Sequence, residues 1–258
     1  MNIFFDKYQG TGNDFILIDD RALKFPVNKN LVKSLCNRHN GIGSDGLILI
    51  QNSIKANFKM VYYNSDGKKG SFCGNGSRCA ISFANRLYNL NSDIYFEAFD
   101  GIHIASIGKK EISVKMLDVK QVECFKDYVF LDTGSPHHVI MVEDLNRIDV
   151  NAAGSLISSG PPYFEKGVNV NFVEKKSNKD FNIRTYERGV KSETLSCGTG
   201  AVAVAIAMFE LNNTNLNNIN IKVKGGQLTI KFSKIDEIYS NICLIGPATN
   251  VFSGQIII

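Results

Sequence analysis

The stretch CGNGSRCA at residues 73–80 returns as CGTGAVAVA at residues 197–205 of this 258-residue chain. In both blocks a cysteine is followed by a glycine, one variable residue and a second glycine. The residues after each block have the composition of a helix. A block that recurs with the same spacing predicts that the fold contains the same structural unit twice.

The repeat extends upstream of both cysteines, because three further blocks precede each of them in the same order. The pairs are GIGSDGLILI (41–50) with GVNVNFVEKK (167–176), MVYYNSDG (60–67) with NIRTYERG (182–189), and QGTGNDFILIDD (9–20) with DTGSPHHVIMVED (132–144). We therefore predict an N-terminal lobe at residues 1–117 and a C-terminal lobe at 118–258. A last strand, at residues 250–258, is a candidate to pair back into the first lobe.

Both halves consist mainly of short β-branched or aromatic runs such as FILID, GLILI, VFLD and FNIRTY, a pattern typical of strands. One clear helix per half begins at the repeated block. In the first helix Ala80, Ala84 and Leu87 fall at helical spacing, whereas residues 201–211 are apolar on every side, which predicts an enclosed helix. We predict an α+β fold of two pseudo-symmetric lobes. Each lobe is expected to be a β-rich layer or barrel around a central helix, with the active site in the cleft between the lobes.

Composition excludes several classes of protein. Hydrophobic residues make up 44% and charged residues 21%, and 29 basic against 25 acidic residues give a net charge of only +4. These values are typical of a soluble globular protein. The longest apolar run, residues 201–209, is far shorter than the ~20 residues of a membrane span. The first residues lack the pattern of a signal peptide, so we expect a cytoplasmic protein with reduced cysteines and no membrane partner.

Common cofactor and metal motifs are also excluded. GIGSDG at residues 41–46 matches G-x-G-x-x-G, but a helical stretch precedes it and a strand follows, the reverse of a dinucleotide site. There is no P-loop and no C-x-x-C, and His137 and His138 have no cysteine or carboxylate at ligand spacing. Basic residues do not form a stripe with aromatics. We therefore predict no metal, no cofactor and no nucleic acid partner.

The two repeated cysteines carry the chemistry that the sequence predicts. Glycines at a helix start let a ligand approach the backbone, where the first N–H groups attract an anion. Each block therefore offers a carboxylate site beside a thiol, and the helix N-terminus lowers a thiol pKa from ~8.5 toward roughly 3.5–7.5. A lone cysteine is usually a packing residue, but Cys73 and Cys197 stand at equivalent places with the same glycines. Packing roles are predicted for the other four: Cys36, Cys79, Cys124 and Cys243.

Two thiols at equivalent positions suit the inversion of a carbon that carries a hydrogen. Inversion requires a base that removes the proton from one face and an acid that returns one to the other. The two groups are coupled, because the first thiolate makes the second harder to form, which keeps one proton on the pair. Nearby helix N-termini would stabilise the charge that develops on a substrate carboxylate.

Six motifs lie along the chain: KYQGTGNDF (7–15), NRHNGIGSDG (37–46), YNSDG (63–67), CGNGSRCA (73–80), GVNVNFV (167–173) and RTYERGVKSETLSCGTGAVA (184–203). In these motifs the chain resembles a known family, the diaminopimelate epimerases, which are cofactor-independent, two-cysteine amino-acid epimerases. The motifs occur in the order of the family and span nearly the whole chain. The block that ends in ETLSCGTGA is the most specific of them.

The resemblance implies conversion of LL-2,6-diaminopimelate to the meso form, for lysine and peptidoglycan precursor synthesis, without metal or pyridoxal phosphate. Cys73 and Cys197 would be the two bases, one for each face of the α-carbon. Backbone N–H groups would hold the α-carboxylate at Gly74, Asn75, Gly198 and Thr199. Further substrate contacts are implied for Asn13, Asn64, Asn169, Glu187 and Arg188, and a supporting place for His137. The partner would be a small amino-acid substrate, and the family expectation is a homodimer.

One departure keeps alternatives open. The family usually has Gly-Asn-Pro-His where this chain has Ser135 before Pro136 and His137. Serine cannot offer a two-ended amide, which predicts that one substrate contact is lost or bridged by water. A racemase of another amino acid with the same mechanism is therefore the first alternative, although Glu187 and Arg188 argue against it.

Two hypotheses place the chain outside the enzymes that invert a carbon centre, and the sequence argues against both. A redox sensor would join Cys73 to Cys197 in a disulfide, and the missing C-x-x-C and the two anion sites count against it. A non-catalytic binding module would be expected to have lost a base, whereas both cysteines are present.

Overall fold

The computed structural model describes residues 1–70, 72–90 and 93–258. The chain groups into two compact units. Unit 1 comprises Met1–Val114 together with Gly246–Ile258, and unit 2 comprises Lys115–Ile245.

Strands dominate both units, and the described residues contain four α-helices. The first elements along the chain are β1 (Asn2–Gly10), β2 (Asn13–Asp19), α1 (Lys29–Cys36), β3 (Gly46–Gln51), β4 (Phe58–Asn64), α2 (Gly74–Tyr88), β5 (Asp93–Ala98), β6 (Gly101–Ile107) and β7 (Ile112–Lys115). These are followed by β8 (Val122–Cys124), β9 (Val129–Asp132), β10 (Pro136–Met141), a 3₁₀ turn (Leu145–Arg147), α3 (Val150–Ser159), β11 (Asn169–Lys175), β12 (Asp180–Glu187), β13 (Ser192–Thr194), α4 (Gly198–Glu210), β14 (Asn218–Val223), β15 (Gly226–Ile235) and β16 (Ile238–Gly246). The last strand, β17 (Thr249–Ile257), pairs antiparallel with β1.

The two units repeat one topology. In unit 1, β1 to β6 pair in chain order, and the pairings are antiparallel, parallel, antiparallel, parallel and antiparallel. In unit 2, strands β9, β10, β11, β12, β14 and β15 pair in the same order with the same alternation. An unrelated pair of folds would not share five successive pairing directions, so the predicted duplication is confirmed.

The sheet of unit 1 is covered on both faces. In β2, Phe15 and Leu17 pack in the cluster that includes α2, whereas Ile16 and Ile18 pack in the cluster that includes α1. Successive residues of a strand point to opposite faces, so a strand buried on both sides reads as an unbroken apolar run. This is why FILID and GLILI show no polar alternation.

Helix α2 begins at its N-cap Cys73 and ends at Asn89, which has the left-handed φ of 50° that a helix C-cap favours. Its buried face includes a charged residue, Arg78. The guanidinium of Arg78 donates to Thr11 Oγ1 at 3.1 Å and to the carbonyl of Pro247 at 3.2 Å. Hydrogen bonds to neutral oxygens thus hold this buried cation, which joins α2 to the segment before β17.

Helix α4 is enclosed, as its all-apolar sequence predicts. Gly198 and all residues from Gly200 to Met208 are buried, and the helix packs against strands β9, β10, β11, β14 and β15. Only the ends of such a helix can carry polar groups without burying them unpaired.

Each unit also has a second helix, and the sequence analysis missed the one in unit 2. Helix α3 starts at the N-cap Asp149, whose carboxylate accepts from Ala152 N at 3.0 Å. It covers the other face of the unit 2 sheet, where Val150 packs with Val170 and Tyr186. Helices α1 and α3 both link a pair of parallel strands, a connection that requires such a crossover.

Gly154 of α3 offers a test of this packing. A Cβ atom at Gly154 would lie 2.4 Å from Tyr186 Cβ. In a helix, Gly→Ala ordinarily stabilises by about 0.5–1 kcal/mol, but overpacking costs about 1–3 kcal/mol. We expect Gly154→Ala to lower the free energy of unfolding in urea. Gly189→Ala is the control, because a Cβ there meets no atom within 4 Å. A Gly154→Ala variant as stable as the parent would contradict the close approach of α3.

Candidate active site

The two repeated cysteines occupy the same local position. Cys73 and Cys197 are the N-cap residues of α2 and α4, with φ and ψ of −129° and 112° in one and −120° and 110° in the other. Cys73 Sγ accepts from Gly76 N at 3.4 Å, and Cys197 Sγ lies 3.5 Å from Thr199 Oγ1. Each thiol therefore stands at the positive end of a helix, where first-turn N–H groups have no intrahelical carbonyl to bind.

The predicted carboxylate sites are the first residues of these helices. Gly74 and Gly198 open α2 and α4, and Asn75 is buried in the first turn of α2. The Thr199 carbonyl accepts from Thr133 Oγ1 at 3.0 Å, which ties the first turn of α4 to the end of β9.

Asn13 lies beside Cys73 in a fixed orientation. Its Nδ2 donates to Asp45 Oδ2 at 2.6 Å, and its Oδ1 accepts from Asn75 Nδ2 at 3.3 Å and lies 3.9 Å from Cys73 Sγ. A carboxylate can only accept, so the NH₂ end of the amide must face Asp45. The carbonyl end consequently faces the thiol.

An ion-pair network supports Asn13 from behind. Arg38 binds Asp14 through two nitrogens, at 2.7 and 3.0 Å, and also binds Asp45 at 2.7 Å. Lys7 Nζ lies 2.8 Å from Asp14 Oδ2. Burial opposes ionisation of Asp14, but the hydrogen bonds from Arg38 and Lys7 outweigh it and hold its pKa at about 2. Sequence reasoning did not single out these four residues, although all of them lie inside the motifs it quoted.

Asn64 ends β4 opposite Gly46 of β3, and its side chain is exposed. Its backbone N–H binds the carbonyl of Lys68 at 2.9 Å. The structure thus places Asn64 at the edge of unit 1 rather than inside the Asn13 network.

In unit 2, three predicted residues are joined by hydrogen bonds. Asn169 Nδ2 donates to Ser135 Oγ at 2.9 Å, and Asn169 Oδ1 accepts from Arg188 N at 3.1 Å. Arg188 Nη1 donates to the carbonyl of Lys166 at 3.1 Å, and Glu187 Oε1 accepts from Thr194 Oγ1 at 2.6 Å. Ser135 therefore orients the amide of Asn169, because its single hydroxyl reaches Asn169 Nδ2.

His137 is fully buried in β10, with its Nδ1 3.0 Å from Asn171 Nδ2. Burial lowers its pKa to about 3, and the positive charge of Arg188 acts in the same direction. Asn171, which the sequence analysis did not name, also receives a hydrogen bond from Thr185 Oγ1 at 3.0 Å.

The strand registers align the candidate residues of the two units in pairs. Phe15 pairs with Gly46 in unit 1, and His137 pairs with Asn169 in unit 2 at the same place of the parallel ladder. Phe15 and His137 are therefore equivalent, and so are Asn13 and Ser135, which lie two positions before them. In the same way Leu47 pairs with Tyr63 as Val170 pairs with Tyr186. The next residues along β4 and β12, Asn64 and Glu187, are therefore equivalent. At this pair of equivalent positions, unit 1 has the neutral side chain of Asn64 and unit 2 has the charged side chain of Glu187.

The remaining thiols differ from the repeated pair. Burial raises the pKa of Cys36, and it raises that of Cys79 to about 12, so both are protonated at neutral pH. The predicted packing role fits these two buried residues. It is wrong for Cys124, which is exposed because β8 is a short strand at the surface.

No group of three or more His, Cys, Asp or Glu side chains in residues 1–70, 72–90 and 93–258 is placed to hold a metal ion. Across the same part of the chain, every helix is too short or too polar to cross a membrane.

The Asp14 ion pairs predict a pH dependence of stability. A carboxyl whose folded pKa is depressed stabilises the fold above its unfolded pKa, near 3.8, and this contribution is lost as pH falls through about 2. We expect Asp14→Asn to cost about 1–2 kcal/mol at pH 7 in urea unfolding. The difference from the parent should shrink toward pH 2. Asp127→Asn, at an exposed position, is the control. A cost that does not depend on pH would show that the ion pairs do not stabilise the fold.

The orientation of Asn13 predicts the reactivity of Cys73. Asp45→Ala removes the acceptor that turns the amide carbonyl toward the sulfur, and it also removes a negative charge. Both changes favour the thiolate, so we expect several-fold faster alkylation of Cys73 by iodoacetamide at pH 7, followed by peptide mapping. Asp66→Ala removes an exposed charge of the same unit and should leave the rate unchanged. Equal rates for parent and Asp45→Ala would show that Asp45 does not act on the thiol.

Comparison with known proteins identifies relatives along the full chain. A family model described as diaminopimelate epimerase matches residues 5–121 and 129–251. A diaminopimelate epimerase of Flavobacterium psychrophilum is 50% identical over 97% of this chain and 98% of its own. One of Chlorobaculum tepidum is 40% identical over 96% of this chain and 98% of its own.

Solved structures of more distant proteins share the fold. A PhzF-family phenazine biosynthesis protein of Bacillus anthracis has a TM-score of 0.79 at 15% identity and covers 100% of both chains. A hydroxyproline epimerase of Agrobacterium vitis has a TM-score of 0.68 at 12% identity, over 99% of this chain and 92% of its own. Identity this low shows only a shared fold, whereas the family model and the sequence relatives show the family to which the chain belongs. This chain belongs to the diaminopimelate epimerase family.

Proposed function

We propose that this chain is an isomerase that converts LL-2,6-diaminopimelate to meso-diaminopimelate, in lysine and peptidoglycan precursor synthesis. The observation that carries the proposal is the 50% identity, over 97% of the chain, to a relative named diaminopimelate epimerase. The two cysteines at equivalent helix N-termini support the two-base form of the reaction.

The proposed reaction moves one proton off the α-carbon and another onto it. A thiolate, from either Cys73 or Cys197, takes the α-proton, and the electron pair of the broken C–H bond delocalises into the α-carboxylate. The thiol of the other cysteine then gives its proton to the opposite face of the carbon. The configuration is inverted, and the two sulfurs have exchanged protonation states. No oxidant, metal or cofactor enters this balance.

Acid–base catalysis by the thiols alone is too weak for this step. It contributes about 10²–10⁴-fold, and an α-proton beside a carboxylate is far less acidic than a thiol. We propose that the N-termini of α2 and α4, at Gly74, Asn75, Gly198 and Thr199, bind the carboxylate and stabilise the charge that develops on it. Preorganised N–H donors act on such charge without reorganising, which makes them worth more than the same groups in water.

The far end of the substrate is itself an amino acid and needs groups of both charges. Arg188 can bind a carboxylate through a bidentate fork, and Glu187 can accept from an ammonium. Both lie in unit 2, next to Asn169, whose amide is oriented by Ser135 and by the backbone of Arg188. We assign Asn13, Asn64 and Asn169 to further substrate contacts and His137 to a supporting position.

Two finer points rest on the family alone. We propose that the protein is cytoplasmic and forms a homodimer. Light scattering after gel filtration would test the second point, and a monomer at micromolar concentration would contradict it.

The first test is proton NMR of LL-diaminopimelate with reduced protein in D₂O, with chelator and no added cofactor. We expect loss of the α-proton signal together with formation of the meso product. Absence of exchange with folded protein would overturn the assignment of this substrate. Exchange with another amino acid instead would favour a racemase.

Single variants test the roles of the cysteines. In Cys73→Ala and Cys197→Ala, inversion should fall at least about 10²–10⁴-fold, because one of the two acid–base groups is missing. Exchange with D₂O should persist only for the isomer whose α-proton faces the remaining thiol, so the two variants should differ in whether LL or meso substrate exchanges. Cys124→Ala, at an exposed thiol, is the control. Inversion at the parental rate in either variant would contradict the two-base mechanism.

A further inference from the structure

The two units differ in the side chains beneath the second glycine of each repeated block. In unit 1, a Cβ at Gly76 would lie 3.3 Å from Ile48 Cδ1 and 3.4 Å from Phe15 Cε1. In unit 2, a Cβ at Gly200 would lie 2.5 Å from Asn171 Oδ1.

Strand register shows that these neighbours are equivalent. His137 occupies the place of Phe15, and Asn171 occupies the place of Ile48. The apolar pair of unit 1 packs the same space with hydrocarbon alone, so the fold does not require polar atoms there. The polar pair of unit 2 therefore calls for a reason other than packing.

The orientation of the Asn171 amide is fixed by a backbone group. Asn171 Nδ2 lies 3.4 Å from the carbonyl of His138, which can only accept, so the NH₂ end must face it. Thr185 Oγ1 donates to Oδ1 at the other end, at 3.0 Å. If the amide turned over, Asn171 Oδ1 would face the carbonyl of His138, and two acceptors would meet without a hydrogen between them.

That orientation in turn fixes the imidazole of His137. The same NH₂ group lies 3.0 Å from His137 Nδ1, so this ring nitrogen accepts and carries no proton. A neutral imidazole has one protonated nitrogen, which must be Nε2. A doubly protonated ring would set an N–H against the amide N–H, so geometry alone requires the neutral form, and the low pKa of about 3 agrees with it.

The resulting donor is buried, and the described part of the chain offers it no acceptor. His137 Nε2 has no hydrogen-bond partner among the described residues, and the side chain is fully buried. A buried donor without an acceptor destabilises the folded state. The amide that fixes it adjoins the proposed site, because the Cβ position at Gly200 that is 2.5 Å from Asn171 Oδ1 is also 3.3 Å from Cys197 Sγ.

We propose that Asn171 is a positioning residue that holds His137 as the Nε2–H tautomer, so that unit 2 offers a neutral donor to the substrate carboxylate at the N-terminus of α4. The part that concerns the substrate rests on the proposed function, whereas the tautomer does not. A neutral donor suits this place, because an imidazolium would lose a proton to a nearby thiolate and a carbonyl would repel the carboxylate.

The tautomer is measurable in the resting protein. The chain has only four histidines, so long-range ¹H–¹⁵N NMR can resolve each ring. We expect His137 to show a protonated Nε2 and an unprotonated Nδ1 throughout pH 6–8, the usual range of histidine titration. A protonated Nδ1, or titration of His137 within this range, would overturn the proposal whatever the protein catalyses.

Two variants test the role of Asn171. In Asn171→Asp, the carboxylate can only accept, so it should draw the proton to Nδ1 and reverse the tautomer of His137. Thr185→Val removes the hydroxyl that orients Oδ1 and should broaden or partly reverse the signal, which provides a second probe if Asn171→Asp does not fold. Asn146→Asp makes the same change at an exposed position of unit 2 and should leave His137 unchanged. An unchanged tautomer in folded Asn171→Asp would overturn the proposal.

A third measurement tests the use of the donor. Titration of Cys73→Ala with meso-diaminopimelate should shift the His137 Nε2 resonance, and an unshifted resonance at saturation would overturn the contact with the carboxylate. In otherwise parental protein, Asn171→Asp should lower kcat about 10²–10³-fold, the usual effect of losing one preorganised donor. Parental kcat with a reversed tautomer would show that the tautomer does not matter for catalysis. If the parent shows no exchange while His137 has the expected tautomer, only the proposed function fails.

Discussion

The constraint on which the arrangement depends is the packing of one helix in each unit against several strands. Helix α4 is apolar from Ala201 to Met208, and α2 buries one charged residue, Arg78, whose guanidinium is held by hydrogen bonds. Most polar chemistry is therefore left to the two ends of the helix. The N-terminus is the useful end for anionic chemistry, because its N–H groups and the helix dipole both attract negative charge. The cysteines lie there as the N-cap residues, and a glycine follows each of them as the first residue of the helix.

Duplication supplies two such helix N-termini, but the two copies differ in the side chains at equivalent positions. Asn64 of unit 1 is equivalent to Glu187 of unit 2, and Phe15 is equivalent to His137. The two units therefore share their strand pairing and differ in a few side chains on matching strands.

Much of the fold follows from local sequence patterns, and the rest depends on contacts distant in the chain. The repeat predicts two copies, and the apolar run after Cys197 predicts the enclosed helix α4. The missed helix α3 is short, and its packing depends on Gly154 lying against Tyr186, a contact that no local pattern reveals. The register that makes Asn13 equivalent to Ser135 is likewise a property of strand pairing.

The same limit applies to the candidate site. The cysteines and the family motifs are visible in the sequence, whereas the hydrogen bonds that join residues of different motifs are not. Asp45 lies 32 positions from Asn13, and Asn171 lies 34 positions from His137. A sequence shows such residues as charged or turn residues, and it cannot show which way an amide faces.

Amide orientation is the feature that the two thiol environments share. In unit 1 the carboxylate of Asp45 turns the carbonyl of Asn13 toward Cys73, and in unit 2 the backbone carbonyl of His138 turns the carbonyl of Asn171 toward Gly200. Each orientation is fixed by a partner that can only accept, so neither depends on the protonation state of a thiol. The proposed transfer of protons by the two thiols requires surroundings that do not titrate with them. Asparagine amides held by acceptors meet that need, whereas a histidine or carboxylate with an ordinary pKa beside each sulfur would compete for the proton.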